Sequence, residues 1–184
     1  MRIKYADIGI CGLSCKLCPS YHTEAASRCY GCKTESKMSA GCPFITCAIK
    51  KKEIEFCWDC EESKTCKKWA KHRQAGKRAD SFKCYQKLEE DIAFIRKKGI
   101  HDFIKLQSAR EALLKQMLKE FNEGRSKSYY CIAATIMDVE ELKAALEKAG
   151  RNSTGMEIKE KSAELHSILE EIASRKKYYL KLRK

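Results

Sequence analysis

The sequence predicts a mainly α protein, in which a small loop-rich N-terminal module is followed by an α-helical C-terminal part. Two observations lead to this prediction. Ten of the 12 cysteines lie within the first 66 of 184 residues, where apolar stripes are few. Beyond them, apolar residues recur at intervals of three and four, which is the spacing of one buried helix face. We therefore divide the chain into a cysteine-rich module at 1–70 and a helical region at 71–184.

Cysteine pairs with the spacing of metal ligands run through the N-terminal module. A Cys-x-x-Cys turn presents two sulfurs on one side of a tight loop, and two such turns can surround one ion. Cys15 and Cys18 with Cys29 and Cys32 fit one site. Cys57, Cys60 and Cys66, joined by either Cys42 or Cys47, fit a second. The candidate ligands are Cys11, Cys15, Cys18, Cys29, Cys32, Cys42, Cys47, Cys57, Cys60 and Cys66. Which of these cysteines bind the same ion stays open, because ten thiols exceed the eight that two four-sulfur sites require. Gly31 and Gly41 stand where close loops need a residue without a side chain.

Three chemistries could use cysteines at this density. Zinc, in two ions, is the interpretation that we favour, because cysteine pairs in a reducing compartment usually bind zinc. An iron–sulfur cluster is the alternative, since the three-cysteine run and the Cys18-Pro19 and Cys42-Pro43 dipeptides resemble ferredoxin-type ligation. Disulfides are disfavoured because no secretory signal is evident. The module has little apolar surface to bury, so we expect chelation to melt it while the helices partly persist.

The ordered cysteine set resembles a prokaryotic family known as domain of unknown function 3795. The resemblance rests on Cys11-Gly-Leu-Ser-Cys15-Lys-Leu-Cys18-Pro-Ser-Tyr21 and Cys29-Tyr-Gly-Cys32. It continues in Cys42-x4-Cys47-Ala-Ile-Lys and Glu55-Phe-Cys57-x2-Cys60-x5-Cys66. It covers roughly residues 8–70 and implies a small metal-binding module, presumed to hold zinc, with no established activity. It supplies no catalytic residue.

Four apolar stripes predict the helices of the second part. The first contains Phe82, Tyr85, Leu88, Ile92 and Ile95, and the second runs from Phe103 to Phe121. The third runs from Tyr129 to Ala149, and Asp138 with Glu141 predicts a capping box that breaks it in two. The last runs from Ile158 to Tyr179. Gly76, Gly99, Gly124 and Gly150 each follow a periodic stretch, as C-terminal caps do.

The net charge of +13 comes mainly from two basic patches, 64–78 and 175–184. Residues 67–78 and 175–184 each hold six Lys or Arg and no acid. Trp69, Tyr178 and Tyr179 accompany the basic residues, so that bases could stack on the rings while lysines meet phosphates. Nucleic-acid binding is therefore one candidate function, against the simpler interpretation of a solvated face and tail.

The remaining residues favour a binding protein over an enzyme. No catalytic Ser/His/Asp set or carboxylate pair can be argued, so we expect a non-enzymatic binding or adaptor role, with nucleic acid or another protein as partner. His22 could replace a sulfur ligand. Cys84 and Cys131 are expected to be buried thiols, with a reactive thiolate as the alternative for Cys131. No apolar run is long enough to span a bilayer, and we expect a cytoplasmic protein.

Overall fold

A computed structural model describes residues 2–34, 42–81 and 83–184. The prediction of a mainly α fold is confirmed: the described residues contain helices and no strand. The helices are α1 (Pro43–Ile45), α2 (Lys67–Arg78), α3 (Leu88–Lys98), α4 (Ile100–Glu120), α5 (Lys127–Ile136), α6 (Val139–Asn152) and α7 (Ile158–Lys176). None of these helices has the length and apolar character needed to cross a lipid bilayer. Gly41 and Phe82, which carried sequence predictions, lie outside the described residues.

The cysteine-rich module consists of turns tied together by backbone hydrogen bonds. Short 3₁₀ helices cover Cys15–Leu17, Cys57–Asp59 and Glu61–Lys64, and a π-helical segment, Thr46–Lys51, continues α1. An isolated antiparallel bridge joins Ile8 to Ser14. The Cys57 amide donates to the Ile10 carbonyl at 3.1 Å, which ties the first cysteine loop to the last. The module is therefore loop-rich, as predicted.

The largest core lies between α4, α5, α6 and α7. Its fully buried residues include Leu114, Tyr130, Leu142 and Leu165, each with no exposed surface. The predicted break between α5 and α6 is confirmed, because Asp138 and Glu141 form a capping box at the start of α6. This reciprocal cap provides partners for backbone N–H groups that would otherwise have none at a helix start.

Three of the four glycines do not cap a helix, which corrects the sequence prediction, and one of them, Gly124, lies beyond the cap of α4 at Phe121. Gly99 follows α3 with a φ of +88°, as predicted. Gly76 and Gly150 instead lie inside α2 and α6. Gly76 is buried, and a Cβ at this position would lie 3.2 Å from the Cβ of Tyr85. A close approach between α2 and the segment before α3 therefore accounts for this glycine.

Smaller cores join the cysteine-rich module to α3 and α4. Ile8 and Phe56 pack with Ile95 and Phe103 in one cluster. A second cluster unites Leu13 and Trp69 with Leu88 and Ile92. Since each cluster draws residues from both sides of position 70, the two parts share apolar packing.

Candidate metal centre

Two glycines allow the cysteine loops to approach one another closely. Gly31 has a φ of +115°, and a Cβ there would lie 3.2 Å from a backbone oxygen and 3.8 Å from the Cys15 sulfur. Gly12 has a φ of +95°, and a Cβ there would meet the Trp58 ring at 3.0 Å. A side chain at Gly31 would push the turn ending in Cys32 away from Cys15.

Four cysteines act electrostatically on one half-buried lysine, and we call them the Lys83 thiol group: Cys11, Cys15, Cys18 and Cys32. The Lys83 amine donates a hydrogen bond to the Cys32 sulfur at 3.3 Å. Burial works against the ammonium charge, but the neighbouring sulfurs outweigh burial and raise the pKa of Lys83. A hydrogen bond between the Cys15 and Cys32 side chains, followed by burial, raises the pKa of Cys15. The sulfurs therefore favour a positive charge beside them.

Four further cysteines line a small cavity of about 50 Å³, and we call them the Cys57 thiol group: Cys47, Cys57, Cys60 and Cys66. Burial, and then the charges of neighbouring thiols, raises the pKa of Cys57 to about 12. The 3₁₀ helix Cys57–Asp59 positions two of the sulfurs, because the Cys60 amide donates to the Cys57 carbonyl at 3.4 Å. The Cys66 amide donates to the Glu62 carbonyl at 2.8 Å and fixes the start of α2.

Which cysteines share an ion stays a prediction. Cys11 joins Cys15, Cys18 and Cys32 in the electrostatic neighbourhood of Lys83, and it also packs beside Cys57 and Cys66. Cys47, one of the two alternatives that the spacing left open, lines the cavity shared by Cys57, Cys60 and Cys66. Cys29 closes its own loop, in which its amide donates to the Ser20 carbonyl at 2.9 Å, and Cys42 precedes α1.

No disulfide joins any of the 12 cysteines, all of which lie within the described residues, so the framework of the module does not rest on S–S bonds. Within 2–34, 42–81 and 83–184, no three His, Cys, Asp or Glu side chains are arranged to hold a metal ion. The Cys57 thiol group lines a void instead of converging on one point. In number and chemistry the donors nevertheless suit a thiolate-binding ion, since four sulfurs are the complete set of a structural zinc site.

The family comparison covers this same segment. Residues 7–71 match the family described as Protein of unknown function (DUF3795). This match confirms the resemblance seen in the ordered cysteines. The DUF3795 segment contains all eight cysteines of the two thiol groups and ends inside α2, whereas Lys83 lies beyond it. No curated protein and no solved structure matches the chain.

Three further side chains were considered as a metal ligand or a reactive thiol: His22, Cys84 and Cys131. The Nε2 atom of His22 lies 2.6 Å from the Lys16 carbonyl oxygen, and burial lowers the pKa of the ring. Cys84 and Cys131 are buried, as the favoured interpretation predicted. Burial raises the pKa of Cys84 to about 11 and that of Cys131 to about 12, so both remain protonated thiols at neutral pH.

Sequence reasoning missed a buried polar network in the helical part. Ser126 Oγ lies 2.8 Å from His166 Nε2 and donates to the Glu123 carboxylate at 2.7 Å. The Ser162 hydroxyl also donates to Glu123, at 2.6 Å. The carboxylate accepts from serines and does not orient the imidazole, and Ser126 is only 3% exposed, so this is not a nucleophile set. The network fastens α5 to α7, and no sequence spacing signals it because its members extend from Glu123 to His166.

The C-terminal tail brings the two basic patches together. The Arg183 amide and guanidinium both donate to the Asp80 carboxylate, and the guanidinium also donates to the Gly76 and Lys77 carbonyls. In the opposite direction, the Asp80 amide donates to the Arg183 carbonyl at 2.8 Å. Segments 64–78 and 175–184 therefore meet at the end of α2. Trp69 is only 2% exposed and cannot stack on a base, whereas Tyr179 is 60% exposed.

Proposed function

We propose that this chain is a zinc-binding protein, in which the Cys57 thiol group and the Lys83 thiol group each hold one ion. The observation that carries the proposal is the gathering of Cys47, Cys57, Cys60 and Cys66 around one cavity. These four residues come from three separate turns, and metal ligation is the simplest use of four thiols gathered in this way.

The proposed ions are structural, and the role of the protein is binding rather than catalysis. A zinc ion with four protein sulfurs has no open position for water or substrate. A Zn²⁺ ion with four thiolates carries a net charge of −2, which a buried site must balance. Lys83 supplies a nearby positive charge for one group through its hydrogen bond to Cys32. Such hydrogen bonds to ligand sulfurs orient the ligands and stabilise the thiolate form.

Elemental analysis of matched variants tests this proposal. We expect about two zinc ions per chain in the unmodified protein, and about one in either Cys60→Ser or Cys32→Ser. Cys84→Ser is the matched control, because Cys84 lies outside both groups, and it should retain about two ions. Brown protein that contains iron after anaerobic preparation would favour an iron–sulfur cluster instead. A metal content that neither variant lowers would contradict the assignment.

We propose nucleic-acid binding as a second candidate function, supported by the meeting of the two basic patches. Lys77 and Arg78 at the end of α2 are exposed, as are Lys181 and Lys184 in the tail. The Arg183 contacts to Asp80 hold these cations on adjoining segments. A cationic surface of this kind would contact phosphates, and because Trp69 is buried, the exposed Tyr179 is the ring left to stack on a base.

Salt dependence distinguishes this function from a merely solvated face. Binding to duplex DNA should weaken with salt. The double variant Lys77→Ala with Lys181→Ala should make the slope of log affinity against log salt concentration less steep by about 1.8, because two phosphate contacts are lost. Lys97→Ala with Lys98→Ala removes two exposed lysines outside both patches and should leave the slope unchanged. If both double variants change the slope equally, or if the protein does not bind DNA at low salt, the surface formed by segments 64–78 and 175–184 is not a nucleic-acid site.

A further inference from the structure

A cavity of about 140 Å³ lies where the cysteine-rich module meets the helices. Leu13, Ser14 and Leu17 form its wall on the module side, and Gln107 of α4 and Ile132 of α5 face them. The volume is close to that of an engineered protein cavity of about 150 Å³ that binds benzene. The space is therefore large enough for a molecule with about six to nine non-hydrogen atoms.

Two polar atoms at this cavity have no hydrogen-bond partner among the described residues. They are the side-chain nitrogen of Gln107, a residue only 4% exposed, and the hydroxyl oxygen of Ser14. Buried polar groups in folded proteins are nearly always paired, so each such group needs an explanation. Here both atoms belong to residues that line the same cavity.

The hydrogen-bonding groups around the cavity are mainly able to donate. The Gln107 amide nitrogen can only donate, and the Ser14 hydroxyl can donate or accept. Asp91 also lines the cavity and is 8% exposed. Burial raises the pKa of Asp91 to about 7, so that its carboxyl group is partly protonated at neutral pH and can donate as well. A molecule suited to these groups must present an acceptor.

The apolar part of the wall argues against a cavity filled only by water. Leu13, Leu17 and Ile132 are all buried and contribute no polar side-chain atoms. A buried water needs two to four polar partners, which polar lining residues such as Ser14, Asp91 and Gln107 can offer but these three apolar residues cannot. Ser128 and Leu182 line the same cavity and are exposed, so the space has an entrance between α5 and the C-terminal tail.

We propose that this cavity binds a small molecule with an apolar body and a carbonyl oxygen, which accepts hydrogen bonds from Gln107 and Ser14. The apolar body lies against Leu13, Leu17 and Ile132. Cys18 and Lys83 also line the cavity, so this site adjoins the Lys83 thiol group, but the proposed contacts require no ion at either thiol group. It would give the junction of the two parts of the chain a ligand-binding role.

Benzamide and toluene, titrated into the full-length protein and followed by nuclear magnetic resonance, test this proposal. Both probes have an aromatic body that fits the volume, but only benzamide carries a carbonyl oxygen. We expect benzamide to bind with a dissociation constant below about 1 mM and toluene to bind more weakly. Nuclear Overhauser contacts should join the benzamide ring to methyl groups of Leu13, Leu17 and Ile132. Binding of neither probe, or contacts elsewhere, would overturn the proposal and leave water as the occupant.

Variants on one helix identify the donor. Gln107→Leu should weaken benzamide binding about tenfold and leave toluene binding unchanged, since one hydrogen bond is lost. Gln116→Leu is the matched control, because Gln116 lies on the same helix but is exposed, and it should change neither affinity. The thermal unfolding of each variant is measured beforehand. If Gln107→Leu folds and binds benzamide as tightly as the unmodified protein, the assigned contact is wrong. If Gln107→Leu does not fold, the nuclear Overhauser contacts of benzamide with Leu13, Leu17 and Ile132 in the unmodified protein decide whether the cavity is the binding site.

Discussion

At the scale of single residues, the Glu123 carboxylate is held in its charged form by the hydrogen bonds around it. Burial works against its charge, but hydrogen bonds from Ser162, Ser126 and nearby backbone amides lower the pKa of Glu123 to about 2. His166 contacts the same Ser126 hydroxyl, and burial lowers the pKa of its ring. The network is therefore built for an ionised carboxylate and a neutral imidazole.

This arrangement predicts a loss of stability on acidification in two stages. A folded-state His pKa below its usual value of about 6.5 means that the unfolded chain binds the proton more readily, so stability falls as pH drops through that value. The Glu123 contribution is present above about pH 4.5 and is lost as pH falls towards about 2. We expect Glu123→Gln to lower the free energy of unfolding by about 1–2 kcal/mol at pH 7, after allowance for solvent screening.

Urea denaturation of the variant and the unmodified protein at several pH values measures this effect. The difference between the two should shrink as pH falls below about 4.5. Glu120→Gln is the control, because the Glu120 carboxylate accepts only from the exposed Gln116 amide in the described contacts, and it should change little. A difference that stays constant down to the lowest pH would mean that the charge of Glu123 is not stabilising.

Residue identity predicted the thiols but not the groups that act on them. The ten cysteines are candidate ligands because metal ligation requires a particular residue type at short spacings, and their ligation stays a prediction. Lys83 lies 51 residues from Cys32, and its hydrogen bond depends on the path of the chain. A lysine in a basic protein has no local pattern that separates a half-buried amine from a surface one. The same limit applies to Gln107, whose role depends on a cavity.

At the scale of elements, two glycines inside helices have opposite packing environments. Gly76 in α2 is buried, and a Cβ there would come within 3.2 Å of the Tyr85 Cβ. Tyr85 cannot easily move, because its amide donates to Asp80 at 2.6 Å and Asp80 is held by Arg183. Gly150 in α6 is exposed, and a Cβ there would have no atom of another element within 4 Å.

The same substitution should therefore have opposite effects at the two positions. Gly150→Ala should stabilise the protein by about 0.5–1 kcal/mol, because alanine restricts the unfolded chain and favours helix. Gly76→Ala gains the same helix preference but must displace Tyr85, and we expect a net loss of about 1 kcal/mol. Thermal unfolding of both variants checks the pair. Equal stabilisation by both substitutions would show that Tyr85 moves to make room for the alanine methyl group at no measurable cost in stability.

The helices could be predicted because each has a periodic apolar stripe. Their ends could be predicted only where particular side chains cap the helix. The capping box of Asp138 and Glu141 has a side-chain signature, and it lies where the sequence indicates. Gly76 and Gly150 carry no such signature, since a glycine can serve a turn or a close contact equally well. Ile158 fits the last stripe by spacing but is 40% exposed, because it starts α7 beyond the core.

At the scale of the whole molecule, the apolar cores do not divide at the boundary between the two parts. Ile8 and Phe56 of the cysteine-rich module share one cluster with Ile95 and Phe103. By contrast, α5, α6 and α7 bury their apolar faces mainly against one another and α4. If the proposed zinc ions hold the module together, their removal also takes away the surface that covers α3 and the start of α4.

Chelation should therefore unfold the cysteine-rich module together with α3 and the first turns of α4, but it should not unfold the whole chain. Amide hydrogen exchange, followed by mass spectrometry after verified metal removal, should lose protection in the module, in α3 and in the first turns of α4. Helices α5, α6 and α7 should keep most of their protection, because their shared core contains residues such as Tyr130, Leu142 and Leu165 that are fully buried. Chelator saturated with zinc is the control. Unchanged exchange throughout would contradict a structural role for metal, and equal loss in every helix would mean that the molecule is one cooperative unit.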